Sequence, residues 1–330
     1  MEFVTLAHGS GGRQTAELID RVFRAHFESP VLTADDAAVF ELGGRVAMTT
    51  DGFTVSPWKF NGGDIGKLSV CGTVNDLACM GARPEYLTCA FIIEEGFPLS
   101  HLEEIAESMR ETADKAGIRI AAGDTKVVGR GQADGIFITT TGIGRIAEGV
   151  STSGSAARDG DAVIVSGDIG RHGCTILLAR EDLGIETDAD SDCAPLWDTV
   201  SDVLDVCPDG HVIRDATRGG VGTVLYEIAS QSGVGIVLDR AAIPVDGRVS
   251  GVCGLLGLDP LYLACEGRVV IIAPNSRADD IVAALRVHQP TAAVIGRVTS
   301  ADKGRVILST EIGTRAILPF PGGELLPRIC

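Results

Sequence analysis

Acidic residues recur in the N-terminal half at positions that could share one piece of chemistry. "TADDAAVF" supplies Asp35 and Asp36, "TTDGF" supplies Asp51, "TVNDLA" supplies Asn75 and Asp76, and "AAGDTKVV" supplies Asp124. Several stand at or near the end of an expected strand or on a helix, flanked by apolar residues. A carboxylate there is costly unless it is paired, hydrogen-bonded or bound to metal. Oxygen-rich sets of this kind suit Mg²⁺, which takes carboxylates together with phosphate oxygens. Singly, each aspartate reads equally well as a helix cap or turn former. As a set, beside the glycine clusters "HGSGG", "NGGDIG" and "TRGGVG", they read as metal–nucleotide binding.

The second chemical feature is a thiol. The sequence closes on "AILPFPGGELLPRIC", whose last residue, Cys330, is the ninth cysteine. A terminal residue usually frays and needs no purpose. The alternative is that a thiol on a segment holding Pro319, Pro321, Pro327, Gly322 and Gly323 carries a group between sites. An extended chain from Phe320 to Cys330 spans at most roughly 35 Å, enough to swing between a cleft and solvent.

The elements that must position these residues alternate through the chain. "RVAMTTD" (45–51) reads as a strand ending on a carboxylate, and Ile65, Leu68, Cys71, Val74 and Leu77 fall at helical spacing. "YLTCAFIIEE", "IRIAAGDTKVV" and "GIFITTTGIGRI" read as strands. "SHLEEIAESMRETADKAG" is the clearest helix, with Ser100 and Glu103 as a capping box and Gly117 at the left-handed closing position. The small, polar stretch 147–161 reads as a domain boundary. Beyond it, "DAVIVSG", "GIVLDR", "GRVVIIAP" and "AAVIGRV" read as strands, and "RHGCTILLARED", "GGVGTVLYEIASQSG" and "ADDIVAALRVH" as helices. The two halves mix strands and helices at similar density, as two related lobes would.

Composition excludes several classes. Glycine, at 42 of 330 residues, is about 13% against a typical ~7%, in clusters that suit binding loops rather than a repeat. A net charge of −17 argues against nucleic acid and anionic membranes as partners. Nine cysteines without a C-x-x-C pair give no zinc spacing and no disulfide framework, and most sit in apolar segments. No signal peptide and no membrane span is expected, and the expected location is the cytoplasm. "GGDIGKL" has the wrong spacing for a P-loop, and "GIGRIA" lacks the helix that a dinucleotide fingerprint needs. No H-E-x-x-H or G-x-S-x-G occurs.

The acidic elements in this order resemble the aminoimidazole ribonucleotide synthetase-like ATP-binding superfamily, which includes selenophosphate synthetase and thiamine-phosphate kinase. The segments are "HGSGG", "DDAAV", "TTDG", "GDIGKLSVCGTVNDLACMGARP", "GDTKVV" and "RDATRGGVGTVLYEIA". "GLDPLYLACEG" with the terminal "PRIC" resembles one branch, the HypE family of carbamoyl dehydratases in hydrogenase maturation. The resemblance covers essentially the whole chain. Its ATP-site motifs point to the superfamily and its terminal cysteine motif to the branch.

The resemblance implies an α+β fold of two domains: 1–150 for ATP and Mg²⁺ binding and dimerisation, 151–319 as a second α+β domain, and 320–330 as a mobile tail. The N-terminal domains of a homodimer would pair through a β-barrel-like interface, with ATP and Mg²⁺ in an acidic cleft between the lobes. Metal ligands are implied at Asp36, Asp51, Asp76 and Asp124, with Asp215 from the second lobe. Nucleotide contacts are implied at Asp51, Lys67, Asn75, Asp76, Asp124 and Thr125. The implied catalytic set is Cys330, Lys126 and Glu266. Lys126 would steady the phosphate or the amide oxygen; Glu266 would orient the amide NH₂ and accept a proton. By residue type alone, Lys126 also reads as a solvated strand-end lysine and Glu266 as a turn-capping carboxylate before Gly267. Arg328 is expected to pair with a cleft carboxylate, while His8 in "HGSGG" is as well explained as incidental.

The implied reaction is ATP-dependent dehydration of a carbamoyl group on Cys330 to a thiocyanate, with ADP and phosphate as products. A carbamoyltransferase, HypF, would load the thiol, and a HypC–HypD complex would accept the cyanide. Two rivals stand beside it: a small-molecule kinase or synthetase of the same fold, in which the tail is incidental, and a non-catalytic carrier whose thiol only docks a partner.

Overall fold

The computed structural model describes residues 3–5, 17–27, 43–180, 183–185, 187–310, 312–320 and 328–330. His8, Asp35, Asp36 and the hinge positions Pro321, Gly322, Gly323 and Pro327 lie outside them. The first lobe holds β1 (Val46–Phe53), the short hairpin β2 (Lys59–Phe60) and β3 (Gly63–Asp64), and helix α1 (Ile65–Cys79). It continues with β4 (Ala82–Glu94), α2 (Leu99–Ala116), β5 (Arg119–Val128) and β6 (Ile136–Ile146). Four of these strands form a sheet in the order β1-β6-β4-β5, antiparallel except for the parallel β4–β5 pair. β4 begins earlier than its apolar run suggests, because the Pro84–Tyr86 register shift absorbs a proline that cannot donate to the ladder.

Helix α1 is apolar on every side. Thirteen of its 15 residues are buried; Lys67 and Asp76 are the exceptions. A helix of this kind has no solvent face and must be enclosed. Asp64 caps it, accepting from the backbone N–H groups of Gly66 at 2.7 Å and Lys67 at 3.0 Å. On one side, the Thr73 and Thr140 hydroxyls meet at 2.5 Å, and Thr140 passes the chain to the Ser69 carbonyl at 2.9 Å. On another, Gly66 lets α2 approach so closely that a Cβ there would stand 2.4 Å from the Ile105 carbonyl oxygen.

Helix α2 closes on Gly117 in the left-handed conformation, φ 66°, as its sequence predicts. Its start differs from the expected capping box. Pro98 holds the N-cap position with an extended backbone and no side-chain cap bond. Its carbonyl accepts from His101 and Leu102, so Ser100 is already inside the first turn.

The second lobe holds β7 (Ala162–Val165), α3 (Arg171–Arg180), α4 (Trp197–Val206), β8 (Val212–Asp215), α5 (Gly220–Ser232) and β9 (Gly235–Asp239). It ends with α6 (Gly247–Leu256), β10 (Val269–Ala273), α7 (Ala278–His288), β11 (Ala293–Thr299), β12 (Val306–Ser309) and β13 (Arg315–Ile317). Its seven strands run in the order β13-β12-β9-β11-β7-β10-β8. All five residues of β10 are buried and alternate between two cores. Val269, Ile271 and Ala273 join the side covered by α4 and α7; Val270 and Ile272 join the side covered by α5. The lobes share their cores. Ala78 and Cys79 of α1 pack into the second lobe, while Cys193, Ala264 and Ile329 pack into the first. No helix among the described residues is long and apolar enough to cross a membrane.

Two glycine substitutions separate helix propensity from packing. Gly66→Ala should destabilise by about 1–3 kcal/mol, because backbone rather than a movable side chain occupies the space. Gly254→Ala, in exposed α6 with nothing within 4 Å, should stabilise by roughly 0.5–1 kcal/mol. Denaturant midpoints of the two variants against wild type measure the opposite signs.

Candidate active site

The lobes enclose a cavity of about 470 Å³. β1 brings Asp51 to its wall, α1 brings Asp76, and the end of β8 brings Asp215. Asp76 is held by the Thr49 hydroxyl, which donates to Oδ2 at 2.8 Å. Burial lifts all three carboxyls above their ordinary range. Asp215, partly buried and facing Asp76 and Asp51, is raised from 3.8 to about 7. Arg214 and Arg218 temper this repulsion from the rim.

Among the described residues, no group of three His, Cys, Asp or Glu side chains could hold a metal ion. The carboxylates on the cavity wall are oxygen donors of the kind a magnesium ion would take together with phosphate oxygens and water. Asp51, Asp76 and Asp215 are the residues that would face it. Bound there, it would neutralise the crowded carboxylates and the phosphate charge together.

Glu266 enters the same cavity from the loop before β10. It is 2% exposed, and its Oε1 has no hydrogen-bond partner. Burial, reinforced by Cys193, Asp215, Asp192 and Asp51, raises its carboxyl well above the ordinary 4.5. A buried carboxylate oxygen left unpaired is expensive, and such groups concentrate where a substrate supplies the missing partner. The loop has no freedom to retreat. The Gly267 N–H donates to Asp192 Oδ2 at 3.0 Å, and a Cβ at Gly267 would fall 1.9 Å from the Asp192 carbonyl oxygen.

Cys330 lines the cavity as well, and the Arg218 Nη2 stands 3.9 Å from its sulfur. Burial first, then the neighbouring Glu266, pushes the thiol up from 9.0 to about 11. Either side of the tail segment outside the described residues is tied down. The Tyr262 hydroxyl donates to the Pro319 carbonyl, and Tyr226 packs on Phe320 with ring centroids 4.5 Å apart. Arg328, at φ 53°, turns the last residues inward and sends its own side chain outward. It pairs with Asp134 in the β5–β6 turn and lies 5.6 Å over Phe137. The expected pairing of Arg328 with a cleft carboxylate is thus corrected: the left-handed turn that admits Cys330 points the guanidinium toward the rim.

The other expected site residues lie outside the cavity lining. Asn75 spends its polar atoms inside the protein. Its amide donates to the carbonyls of Ala194 and Glu266, both at 3.1 Å, and its carbonyl accepts from the Leu196 N–H at 2.8 Å. It is a brace between lobes that fixes the Glu266 backbone. Lys67 donates to the Gly62 carbonyl at 2.8 Å. Asp124, Thr125 and Lys126 lie on β5, at the far edge of the sheet from β1. Lys126 pairs with Asp124 at 2.7 Å in the open, and Thr125 N–H bonds the same carboxylate at 2.9 Å. Thr54, His172, Arg180 and Arg218 reach the tail, and composition gave no signal for the first three; Arg218 lay inside the quoted "RDATRGG".

Residues 34–146 match the family of AIR synthase related proteins, N-terminal domain, and residues 158–309 match the C-terminal domain of the same group. A carbamoyl dehydratase HypE from Rhodobacter capsulatus is 47% identical over 335 residues, covering 100% of this chain and 98% of the relative. A crystal structure of the hydrogenase maturation protein HypE in complex with ATP superposes with a TM-score of 0.95 at 47% identity, covering 99% of each chain. A HypE chain solved in a HypE–HypF complex gives 0.82 at 45% identity, covering 92% of this chain and 99% of that one.

The raised carboxyl of Asp215 predicts a pH-dependent cost. Its proton favours the folded state fully below 3.8, and this contribution is lost as pH rises through about 7. Without nucleotide or magnesium, Asp215→Asn should therefore melt above wild type at about pH 8, keep only part of that advantage at about pH 5 and lose it below about pH 4. Calorimetric melting across that interval measures it.

Proposed function

The chain belongs to the AIR synthase related family and, within it, to the carbamoyl dehydratase HypE family, and from that premise we propose that it dehydrates a carbamoyl group carried on Cys330. The observation that carries this reading is the place of the Cys330 sulfur, in one cavity with Asp51, Asp76, Asp215 and Glu266.

A thiocarbamate, S–C(=O)–NH₂, loses water poorly because hydroxide is a poor leaving group. Transfer of the ATP γ-phosphoryl to the amide oxygen turns that oxygen into phosphate. The C–O bond then breaks, both N–H bonds are lost, and their electron pairs become the two new C–N π bonds of S–C≡N. Phosphoryl transfer asks for positioning and charge neutralisation, which the carboxylates supply with magnesium. Glu266, buried and with an unpaired oxygen, is suited to orient the NH₂ group and, in its ionised form, to take a proton.

The seated thiol is held neutral by burial and by Glu266, and a neutral thiol is a weak nucleophile. Loading by a carbamoyltransferase such as HypF is therefore assigned to the tail outside the cavity, and delivery to a HypC–HypD acceptor likewise, both in the cytoplasm.

One face of the four-stranded sheet is left open within the chain, with Met48 71% and Ile92 41% exposed. This supports a homodimer in which two such sheets face each other in a barrel-like interface. In that dimer Asp124 and Lys126, outside their own chain's cavity, would serve the cavity of the other copy.

Mass spectrometry of the C-terminal peptide tests the reaction. After a carbamoyl donor and Mg-ATP, the peptide should show loss of one water from its carbamoylated form; a carbamoyl mass unchanged by ATP would overturn the reading. Cys330→Ala should bind ATP normally and form no thiocyanate. Mixing Lys126→Ala with Cys330→Ala chains, each inactive alone, tests action in trans. Random re-pairing should restore activity to about a quarter of wild type. Verified mixed dimers without activity would put Lys126 in its own chain's site.

A further inference from the structure

Three residues, one just after β1 and two toward opposite ends of α3, grip the end of the tail, and each donates to a main-chain oxygen. Thr54, just after β1, donates to a main-chain carboxylate oxygen of Cys330 from its N–H at 3.0 Å and its hydroxyl at 3.2 Å. His172, in the first turn of α3, meets the Ile329 carbonyl with Nε2 at 2.8 Å. Arg180, at the far end of the same helix, donates to the carbonyls of Arg328 and Ser56. The Ile329 side chain, 3% exposed, packs into the first lobe's core beneath these bonds.

His172 is the buried member of the three. Its ring is enclosed, edge-on to Phe60 at 5.3 Å, with Nδ1 2.8 Å from the Ser191 hydroxyl. A carbonyl can only accept, so Nε2 carries the proton and donates it to Ile329, and Nδ1 accepts from Ser191. Ser191 Oγ in turn takes the Cys193 N–H at 3.1 Å. Asp192, between them, accepts the His172 N–H at 3.0 Å through Oδ1 and the Gly267 N–H at 3.0 Å through Oδ2. One short segment therefore fixes both the histidine that holds the tail and the loop that presents Glu266.

We propose that Thr54, His172 and Arg180 form a clamp that reads main-chain oxygens of residues 328–330, with His172 its positioning residue, so that the tail seats alike whether its sulfur is bare, carbamoylated or cyanated. The sequence of sulfur states rests on the dehydratase reading; the seating does not. A dock built on the side chain would discriminate among the three states. A dock built on the backbone leaves the sulfur and its cargo to face Glu266 and the acidic wall.

The test is the rate at which iodoacetamide alkylates Cys330 in the full-length protein without ATP or carbamoyl donor. The other eight cysteines are all buried and report, in the same digest, whether the fold is intact. His172→Ala strands a buried carbonyl and should speed Cys330 labelling about tenfold while those eight stay protected. His172→Gln, which can return an amide donor to the Nε2 position, should recover most of the protection. Ser191→Ala, which removes the bond that orients the ring, should give an intermediate rate if His172→Ala fails to fold.

Wild-type labelling of Cys330 in intact His172→Ala, or in Ser191→Ala should that variant be needed, would overturn the clamp. With a carbamoyl donor and ATP, His172→Ala should lose water more slowly while loading proceeds at the wild-type rate or faster; equal slowing of both steps would also overturn it. A wild-type protein that never loses water would sink the dehydratase reading alone, because the alkylation rates report seating without any turnover.

Discussion

Enclosure of α1 is the constraint on which the rest of the molecule depends. A helix without a solvent face stays folded only while both lobes cover it, so the lobes cannot separate without exposing a long apolar surface. The two residues of α1 that escape burial illustrate the consequence. Lys67 secures the Gly62 turn, and Asp76 looks into the cavity between the lobes. Asn75, next to it, spends its hydrogen bonds on the second lobe and so sets where Glu266 stands. The helix that joins the cores also places the chemistry at their seam.

The seam gathers negative charge without its own counter-ions in sufficient number. Burial raises the carboxyls of Asp51, Asp76 and Asp215, the charge of Asp76 adds to the rise at the other two, and Glu266 adds a carboxyl with an unpaired oxygen. Such a cavity costs stability when empty, and a divalent cation bound with a nucleotide would offset that cost. The same field acts on the tail. It keeps the Cys330 thiol protonated in its seat, where a neutral sulfur is a weak nucleophile.

The tail is seated by contacts of two kinds. Ile329 contributes burial, which is indifferent to direction, while Thr54, His172 and Arg180 contribute donors, which fix the chain's rotation and depth. Arg328 faces outward to Asp134 because its left-handed backbone turns the next two residues in. A residue the sequence offers as a partner for the cleft thereby becomes a tether on its rim.

By itself, the sequence determined the parts whose signals are local or borne by motifs. The helical spacing of α1, the left-handed close of α2 at Gly117, and the strand that carries Asp51 follow from periodicity and turn chemistry. The family follows from a run of motifs closing on "PRIC". Helix α6 was hidden because Gly247, Gly251 and Gly254 weaken the propensity that would announce it, and Pro98 displaced the expected cap of α2. Only the tertiary structure decided that Asn75 braces the lobes, that Lys126 stands on an outer edge, and that a histidine 157 positions away holds Ile329. Those outcomes depend on which groups meet across large separations in the chain. No periodicity records such meetings, because they are fixed by how two cores close over one buried helix.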